Sequence, residues 1–436
     1  MKNIFSLTLF LLAANFLYAQ KPIVPGYYAD PSIKKFGDTY YMCVTTDGYP
    51  PFGNDGQTFV WTSDNLADWK PEVLKGLPNE TIWAPAIIAG KNGKFYLYLQ
   101  NSIDYSGYVW VGDSLTGPFT KANHLGGFDL EPFLDPVSKK IYVISATKEL
   151  FEMDNDVNSP TYLTKIVKHI PLEGSLFDFT EGPYMFYRDG LYYAMWSGGR
   201  CWQKSYNVRY AISKNIEGPY TDGKNNPIIQ TDEKAGIIGP GHHSVIQIDG
   251  RYFIFYHRED TSRGGPNCNY RLTCVSEISF NKDGEIHLVK YVDDLAALLG
   301  KKSKYINLAL HKDVFANTES GNYVANNAVD GDNGTRWSTE ANQSGILSVD
   351  LGSEQAINAV EIDFEYADKW QLFKVEYSSD NQNWQMLEDH SQEAIPAYKA
   401  MFINKDFKAR YLRLSILNSE DRSASIWEFK ALQLRK

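Results

Sequence analysis

Five segments in the first three hundred residues share a Gly or polar turn followed by a strand crowded with aromatic side chains, and this repeat restricts the fold more than any other feature. They are Phe36-Gly-Asp-Thr-Tyr-Tyr-Met, Lys91-Asn-Gly-Lys-Phe-Tyr-Leu-Tyr, Ser138-Lys-Lys-Ile-Tyr-Val-Ile, Arg188-Asp-Gly-Leu-Tyr-Tyr-Ala-Met and Ile248-Asp-Gly-Arg-Tyr-Phe-Ile-Phe-Tyr. Each reads as a hairpin turn entering a strand. Measured at Gly37, Gly93, Lys140, Gly190 and Gly250, the spacings are 56, 47, 50 and 60 residues, the length of a four-stranded blade with its loops. Short alternating strands such as Phe59-Val-Trp-Thr and Tyr108-Val-Trp-Val fill the intervals, and long helical periodicity is missing. The expectation is an all-β chain in which residues 22–300 form a five-bladed β-propeller.

A second set of motifs recurs just before each turn: Ala29-Asp30-Pro31-Ser32, Trp83-Ala84-Pro85-Ala86, Asp129-Leu130-Glu131-Pro132, Glu181-Gly182-Pro183-Tyr184 and Gly241-His242-His243-Ser244. Equivalent positions of a radial repeat lie around one axis. Two aspartates, a glutamate and a histidine pair should therefore meet in one central pocket, with Trp83 as a wall suited to a sugar ring. Carboxylates crowded together repel, so at least one should have a raised pKa. Such a set suits glycoside cleavage, in which one carboxylic acid protonates the departing oxygen and one carboxylate activates water or attacks the sugar.

Taken singly, the same residues have plainer readings. Asp-Pro at Asp30 is a common turn initiator. Glu181 before Gly-Pro could cap a strand turn, Asp135 and Glu131 compete with Asp129, His242 and His243 could be core histidines, and Arg271 could be a surface ion-pair partner. Their shared place in the repeat favours function.

Together, Tyr28-Ala-Asp-Pro-Ser-Ile, Trp83-Ala-Pro, Asp129-Leu-Glu-Pro-Phe-Leu-Asp135, Glu181-Gly-Pro-Tyr and Gly239-Pro-Gly-His-His-Ser resemble glycoside hydrolase family 43 over residues 22 to about 295. The resemblance implies inversion at the anomeric carbon and no organic cofactor. It assigns Asp30 as general base, Glu181 as general acid, and Asp129 as the carboxylate that keeps the acid protonated and oriented. Trp83, His242 and Arg271 are the implied substrate contacts, with calcium or water beside His242. Many members have Asp where this chain has Ala86, a departure that bears on substrate contacts.

After Gly300-Lys-Lys-Ser-Lys304 the pattern changes. Residues 305–436 read as short strands of a β-sandwich. Asn327-Ala-Val-Asp-Gly-Asp-Asn-Gly-Thr-Arg-Trp-Ser, Val349-Asp-Leu-Gly and Arg410-Tyr-Leu-Arg-Leu resemble the discoidin, or coagulation factor 5/8 type C, jelly roll, a group that includes carbohydrate-binding module family 32. That likeness implies a structural calcium held by Asp330, Asp332, Thr335 and Glu428 through oxygen ligands; the plainer alternative is a metal-free Asx turn. Tyr366 and Trp370 are candidates for sugar contact or for core.

The first nineteen residues read as a signal peptide, with Lys2 ahead of an apolar run too short to span a bilayer, so the chain is expected to be exported, periplasmic or extracellular, without a membrane-spanning segment. A net charge of −10 argues against nucleic acid as a partner. Four cysteines permit three pairings, and the sequence selects none. The functional expectation is an exo-acting glycosidase that removes a terminal pentose, α-L-arabinofuranose first, from plant-type polysaccharide. β-D-Xylosidase and exo-β-galactosidase are alternatives in the same chemistry. A non-catalytic glycan-binding protein and a retaining fructose-transferring propeller are alternatives outside it.

Overall fold

The structure is a computed structural model, and it describes residues 19–47, 57–78, 80–287, 289–367, 369–417 and 423–436. All but the end of the expected signal peptide lies outside the described residues. No described helix is long and apolar enough to cross a membrane.

Twenty strands form five antiparallel sheets of four, each in simple meander order. The first blade comprises β1 (Tyr28–Phe36), β2 (Thr39–Thr46), β3 (Phe59–Ser63) and β4 (Lys70–Val73). The second comprises β5 (Ile82–Ala89), β6 (Phe95–Asn101), β7 (Gly107–Gly112) and β8 (Phe119–His124). The third comprises β9 (Glu131–Leu134), β10 (Ile141–Ser145), β11 (Glu149–Met153) and β12 (Ile166–Pro171). The fourth comprises β13 (Glu181–Arg188), β14 (Leu191–Gly198), β15 (Asn207–Ser213) and β16 (Thr221–Asp222). The fifth comprises β17 (Gly241–Ile248), β18 (Arg251–Glu259), β19 (Arg271–Ile278) and β20 (Lys290–Val292). Each aromatic repeat found in the sequence is the turn between the first two strands of a blade.

The aromatic strands pack blade against blade. Phe186, Tyr193, Tyr210 and Tyr256 fill the space between the fourth and fifth blades, and Tyr142, Tyr192 and Trp196 that between the third and fourth. The ring closes where the last blade meets the first: Ile33 N–H donates to Ser244 Oγ at 3.0 Å, and Thr273 Oγ1 to the Tyr28 carbonyl at 2.8 Å.

Residues 305–436 form a nine-stranded sheet dominated by two long strands, Gly345–Phe364 and Phe402–Leu417, whose alternation of buried and exposed residues gives one apolar core around Trp337, Leu347, Val349 and Phe373. This sheet domain packs on the propeller. Ala367 and Met401 belong to the core that joins the first and last blades. Arg336, 1% exposed, lies 3.1 Å from Asp260 and 3.2 Å from Glu365, and the Tyr27 hydroxyl reaches both carboxylates.

Cys201 and Cys268 form a disulfide that joins the β14–β15 and β18–β19 loops, while Cys43 and Cys274 are buried free thiols.

Candidate active site

Near the start of each blade's first strand, or just before it in the third blade, stands one residue in the left-handed region: Asp30 (φ 52°), Ala84 (44°), Asp129 (50°), Gly182 (57°) and His242 (42°). At four of these positions the pairing with the second strand also shifts register. The kink turns side chains at two adjacent positions toward the axis. Asp30, Asp129 and His242 occupy the left-handed position, whereas Trp83 and Glu181 precede it by one residue.

The kinked backbone leaves an amide N–H unpaired in its own blade, and the preceding blade accepts it. Ala84 N–H donates to Thr45 Oγ1 (2.8 Å), Asp129 N–H to Gln100 Oε1 (3.4 Å), Gly182 N–H to Asp129 Oδ2 (3.0 Å), His242 N–H to Ser197 Oγ (2.7 Å), and Asp30 N–H to His257 Nδ1 (3.3 Å). The result is a closed ring of five inter-blade hydrogen bonds around the axis, which satisfies donors that burial would otherwise leave costly. Asp129 is itself a link in that ring.

Asp30, Asp129 and His242 line one axial cavity together with Ala84, Glu131 and Pro183. A larger cavity of about 770 Å³ lies between propeller residues such as Trp61 and Trp69 and the C-terminal sheet, and none of these acids lines it. The convergence of perturbed titratable groups marks the axis, rather than the larger void, as the chemical site.

Asp30 is buried, which pushes its carboxyl up, yet Arg271, His242 and His257 outweigh that burial and hold it well below 3.8. Its Oδ1 receives Arg271 Nη1 at 2.8 Å and lies 3.2 Å from His242 Nδ1; its Oδ2 receives Thr45 Oγ1 at 2.6 Å. Glu181 is displaced the other way. Burial raises it first, and the neighbouring Asp129 adds to the rise. Tyr206 donates its hydroxyl to Glu181 Oε1. Asp129 is also raised, by burial and by Asp30, against the opposing pull of His242 and the Gly182 N–H. Burial alone would lower His242, but the neighbouring Asp30, Asp129 and Glu181 outweigh it and raise its pKa. Its neighbour His243 is different: burial pushes it down to about 3, and it is a neutral core histidine.

Of the competing acids, Glu131 is ion-paired to Lys34, and Asp135 accepts the N–H groups of Val137 and Ser138 and the hydroxyl of Tyr192, so both have structural partners. Arg271 directs its guanidinium to Asp30 and Asp47. Trp83 is partly buried, with its ring 5.3 Å from that of Tyr105, which is 64% exposed. Ala86 is buried in β5 opposite Tyr98.

The motifs did not point to Tyr206, His257, Thr45 or Asp47. His257 was within reach of hairpin counting, since it lies opposite Gly241 across the Asp249-Gly250 turn. Tyr206 left a subtler trace in Gly241: a Cβ there would lie 1.9 Å from the Tyr206 ring, so the axial motif of the fifth blade needs glycine for this tyrosine to approach.

In the C-terminal sheet, Glu428 Oε1 accepts the N–H groups of Gly331 and Asp332, and Asp330 Oδ2 accepts Thr335 Oγ1. Glu428 Oε2 is buried without a partner, and burial pushes this carboxyl up to about 8. Among the described residues, no three His, Cys, Asp or Glu side chains are gathered as a metal-ligand set.

A five-bladed propeller whose axis gathers acids displaced in opposite directions has the framework of a glycoside hydrolase, and known proteins agree. A family model for glycosyl hydrolases family 43 matches residues 19–286, and one for the F5/8 type C domain matches residues 314–429. The chain belongs to glycosyl hydrolases family 43, with an F5/8 type C domain following the propeller. Beta-D-galactofuranosidase xynD of Aspergillus niger is 30% identical over 302 residues, covering 62% of this chain and 84% of that protein. Xylan 1,3-beta-xylosidase of a Vibrio species is 29% identical over 65% of this chain and 54% of its own length, so the chain spans about half of that relative. A solved glycoside hydrolase structure superposes with a TM-score of 0.79 at 25% identity, over 95% of this chain and 99% of that one.

Proposed function

We propose that this glycoside hydrolase is an inverting exo-glycosidase that removes terminal pentose residues, α-L-arabinofuranosyl first, from plant-type polysaccharides. Asp30 is the general base that deprotonates water, Glu181 the general acid that protonates the leaving oxygen, and Asp129 the carboxylate that keeps Glu181 protonated. What supports these roles is the contrast in surroundings at one axis: Asp30 accepts Arg271 Nη1 and Thr45 Oγ1 and lies 3.2 Å from His242 Nδ1, which favours its carboxylate, whereas Glu181 is buried beside Asp129, which favours its acid. Trp83, His242 and Arg271 contact the sugar.

The similarity to a protein named as a β-D-galactofuranosidase supports a furanoside substrate, because β-D-galactofuranose and α-L-arabinofuranose share ring stereochemistry and differ in the exocyclic arm. It also makes β-D-galactofuranoside the second reading, with β-D-xyloside third from the xylosidase relatives. Nitrophenyl glycosides of the three sugars separate them, and turnover of β-xyloside alone rejects the first choice. The first product's anomer, followed by NMR, must be inverted; retention would place the chain with nucleophile-using propellers.

Export rests on the amino-terminal sequence pattern. In the C-terminal domain, Trp370 is 56% exposed, whereas Tyr366 packs 5.8 Å from Tyr27 at the domain junction, so Trp370 is the better candidate for glycan contact. Polysaccharide retention that Trp370→Ala leaves intact rejects that role. The orphaned Glu428 oxygen is what supports a hard cation here, although Asp330, Asp332 and Glu428 do not stand together as a ligand set in this arrangement. Calcium there would neutralise a buried carboxylate and tie the 330–335 loop to its strand.

A further inference from the structure

Arg271 opens β19 at the mouth of the fifth blade, and Asp47 follows β2 in the first. Nε of Arg271 donates to Asp47 Oδ2 at 2.7 Å and Nη2 to Oδ1 at 2.8 Å, a two-pronged fork, while the Arg271 N–H adds a third bond to Oδ2 at 3.2 Å. One prong is left for the axis, Nη1 to Asp30 Oδ1 at 2.8 Å. All three side chains are more than nine-tenths buried. Asp47 is held in turn by its own N–H, which donates to the Tyr27 carbonyl at 2.9 Å.

A guanidinium facing a single buried carboxylate takes the two-pronged arrangement, which satisfies most donors and both acceptor oxygens. Were Asp47 absent, Arg271 would turn its fork on Asp30. Such a fork would occupy both oxygens of the base and add the full cationic charge, leaving it a poor proton acceptor.

We propose that Asp47 is a positioning residue which claims the Arg271 fork and so limits Asp30 to one guanidinium contact, keeping the base available to water. The inference rests on Asp30 acting as the base. Other groups facing this cluster are Glu259, paired opposite Arg271 and accepting the Cys268 N–H, together with His257 and His242 beside Asp30. None of them makes a hydrogen bond to the Arg271 guanidinium. Glu259 accepts the Cys268 N–H at Oε1 while its Oε2 is buried without a partner, so it is the rival acceptor once Asp47 is removed, and the two histidines face Asp30.

The test is Asp47→Asn in the full chain, assayed from pH 3 to 9 beside Arg271→Lys and the double variant. An amide cannot accept both prongs, so we expect plateau kcat to fall at least 10-fold, with the acid limb no higher than in the parent. Lysine cannot form a fork. In the Arg271→Lys background, Asp47→Asn should therefore change kcat less than 2-fold. An Asp47→Asn kcat within 2-fold of the parent, equal losses in both backgrounds, or an acid limb moved to higher pH would overturn the proposal. A crystal structure of the variant gives an answer independent of turnover: both Nη1 and Nη2 should lie on Asp30, and a guanidinium drawn away from Asp30 counts against it. Asp30→Asn separates the two levels, since full activity in that variant removes the base assignment itself.

Discussion

Tyr206 joins the two halves of the site: its hydroxyl donates to Glu181 Oε1 at 2.5 Å, while its ring lies 5.8 Å from that of His257 at an interplanar angle of 11°. His257 accepts the Asp30 N–H. The proposed acid and the proposed base are therefore registered through one aromatic contact, which the Cys201–Cys268 disulfide anchors from the loop side. A donor to the ionised carboxylate favours ionisation, so Tyr206 tempers the raised pKa of Glu181. Tyr206→Phe should move the alkaline limb of the kcat profile to higher pH. Plateau kcat should fall about 5-fold, the worth of roughly 1 kcal/mol for one hydrogen bond. A downward shift of that limb contradicts the assigned donor direction.

Acid and base roles separate by leaving group. A nitrophenolate departs without a proton, whereas a sugar alkoxide needs one. Glu181→Ala should therefore lose roughly 10²–10⁴-fold on an oligosaccharide but far less on a nitrophenyl glycoside. Asp30→Asn should lose similarly on both, because water must be deprotonated in either case. Paired rate measurements on the two substrates decide the assignment, and equal losses for Glu181→Ala would remove it as the acid.

Asp129 has two separable functions. Its charge raises Glu181, and its Oδ2 accepts the Gly182 N–H within the inter-blade ring. Asp129→Asn keeps an acceptor oxygen but removes the charge, so the alkaline limb should move to lower pH while the melting temperature stays within a few degrees. Asp129→Ala removes both and should also lower Tm, since it orphans a buried N–H at a cost of about 1–3 kcal/mol. Calorimetry and the pH–rate profile together check this division.

The sequence carried the ring of blades because aromatic hairpins recur at each blade's first turn, and it carried the acids because the axial motifs recur 7–11 residues upstream of that turn. The one-residue offset between Glu181 and Asp30 was hidden. Both lie near the same turn distance, and only backbone φ reveals which residue takes the left-handed position. Tyr206 and Asp47 were hidden for another reason. They come from loops outside the repeat, so no periodicity announces them. The disulfide was equally illegible, since Cys201 and Cys268 are neighbours only after the fourth and fifth blades have packed.

Glu181 should also lower the protein's stability. Its folded pKa lies above the unfolded value near 4.3, so ionising it is harder in the fold than in the open chain. Below pH 4 it is protonated in both states and has no differential effect. As pH rises through its unfolded pKa toward its raised folded pKa, stability is lost, and above that the loss is complete. Glu181→Gln should therefore raise Tm at pH 7 and leave it close to the parent's at pH 3. Differential scanning calorimetry at the two pH values tests the sign, and a Tm that falls at pH 7 contradicts the raised pKa.

Arg336 ties the two domains together by paired contacts. Its guanidinium pairs with Asp260 of the propeller and Glu365 of the sheet domain, lies 4.2 Å over the Tyr323 ring, and is joined by Arg263, which also pairs with Glu365. Truncation leaves two buried carboxylates short of a cation, which costs about 3–5 kcal/mol for a pair of this kind. The Tyr27 hydroxyl lies against both carboxylates, and its carbonyl holds Asp47, so loosening the junction reaches the clamp behind Arg271. Arg336→Met should split a single calorimetric transition into two, the lower by several degrees, and should raise KM less than it lowers kcat. One unsplit transition at the parent temperature would show that the domains do not depend on this contact.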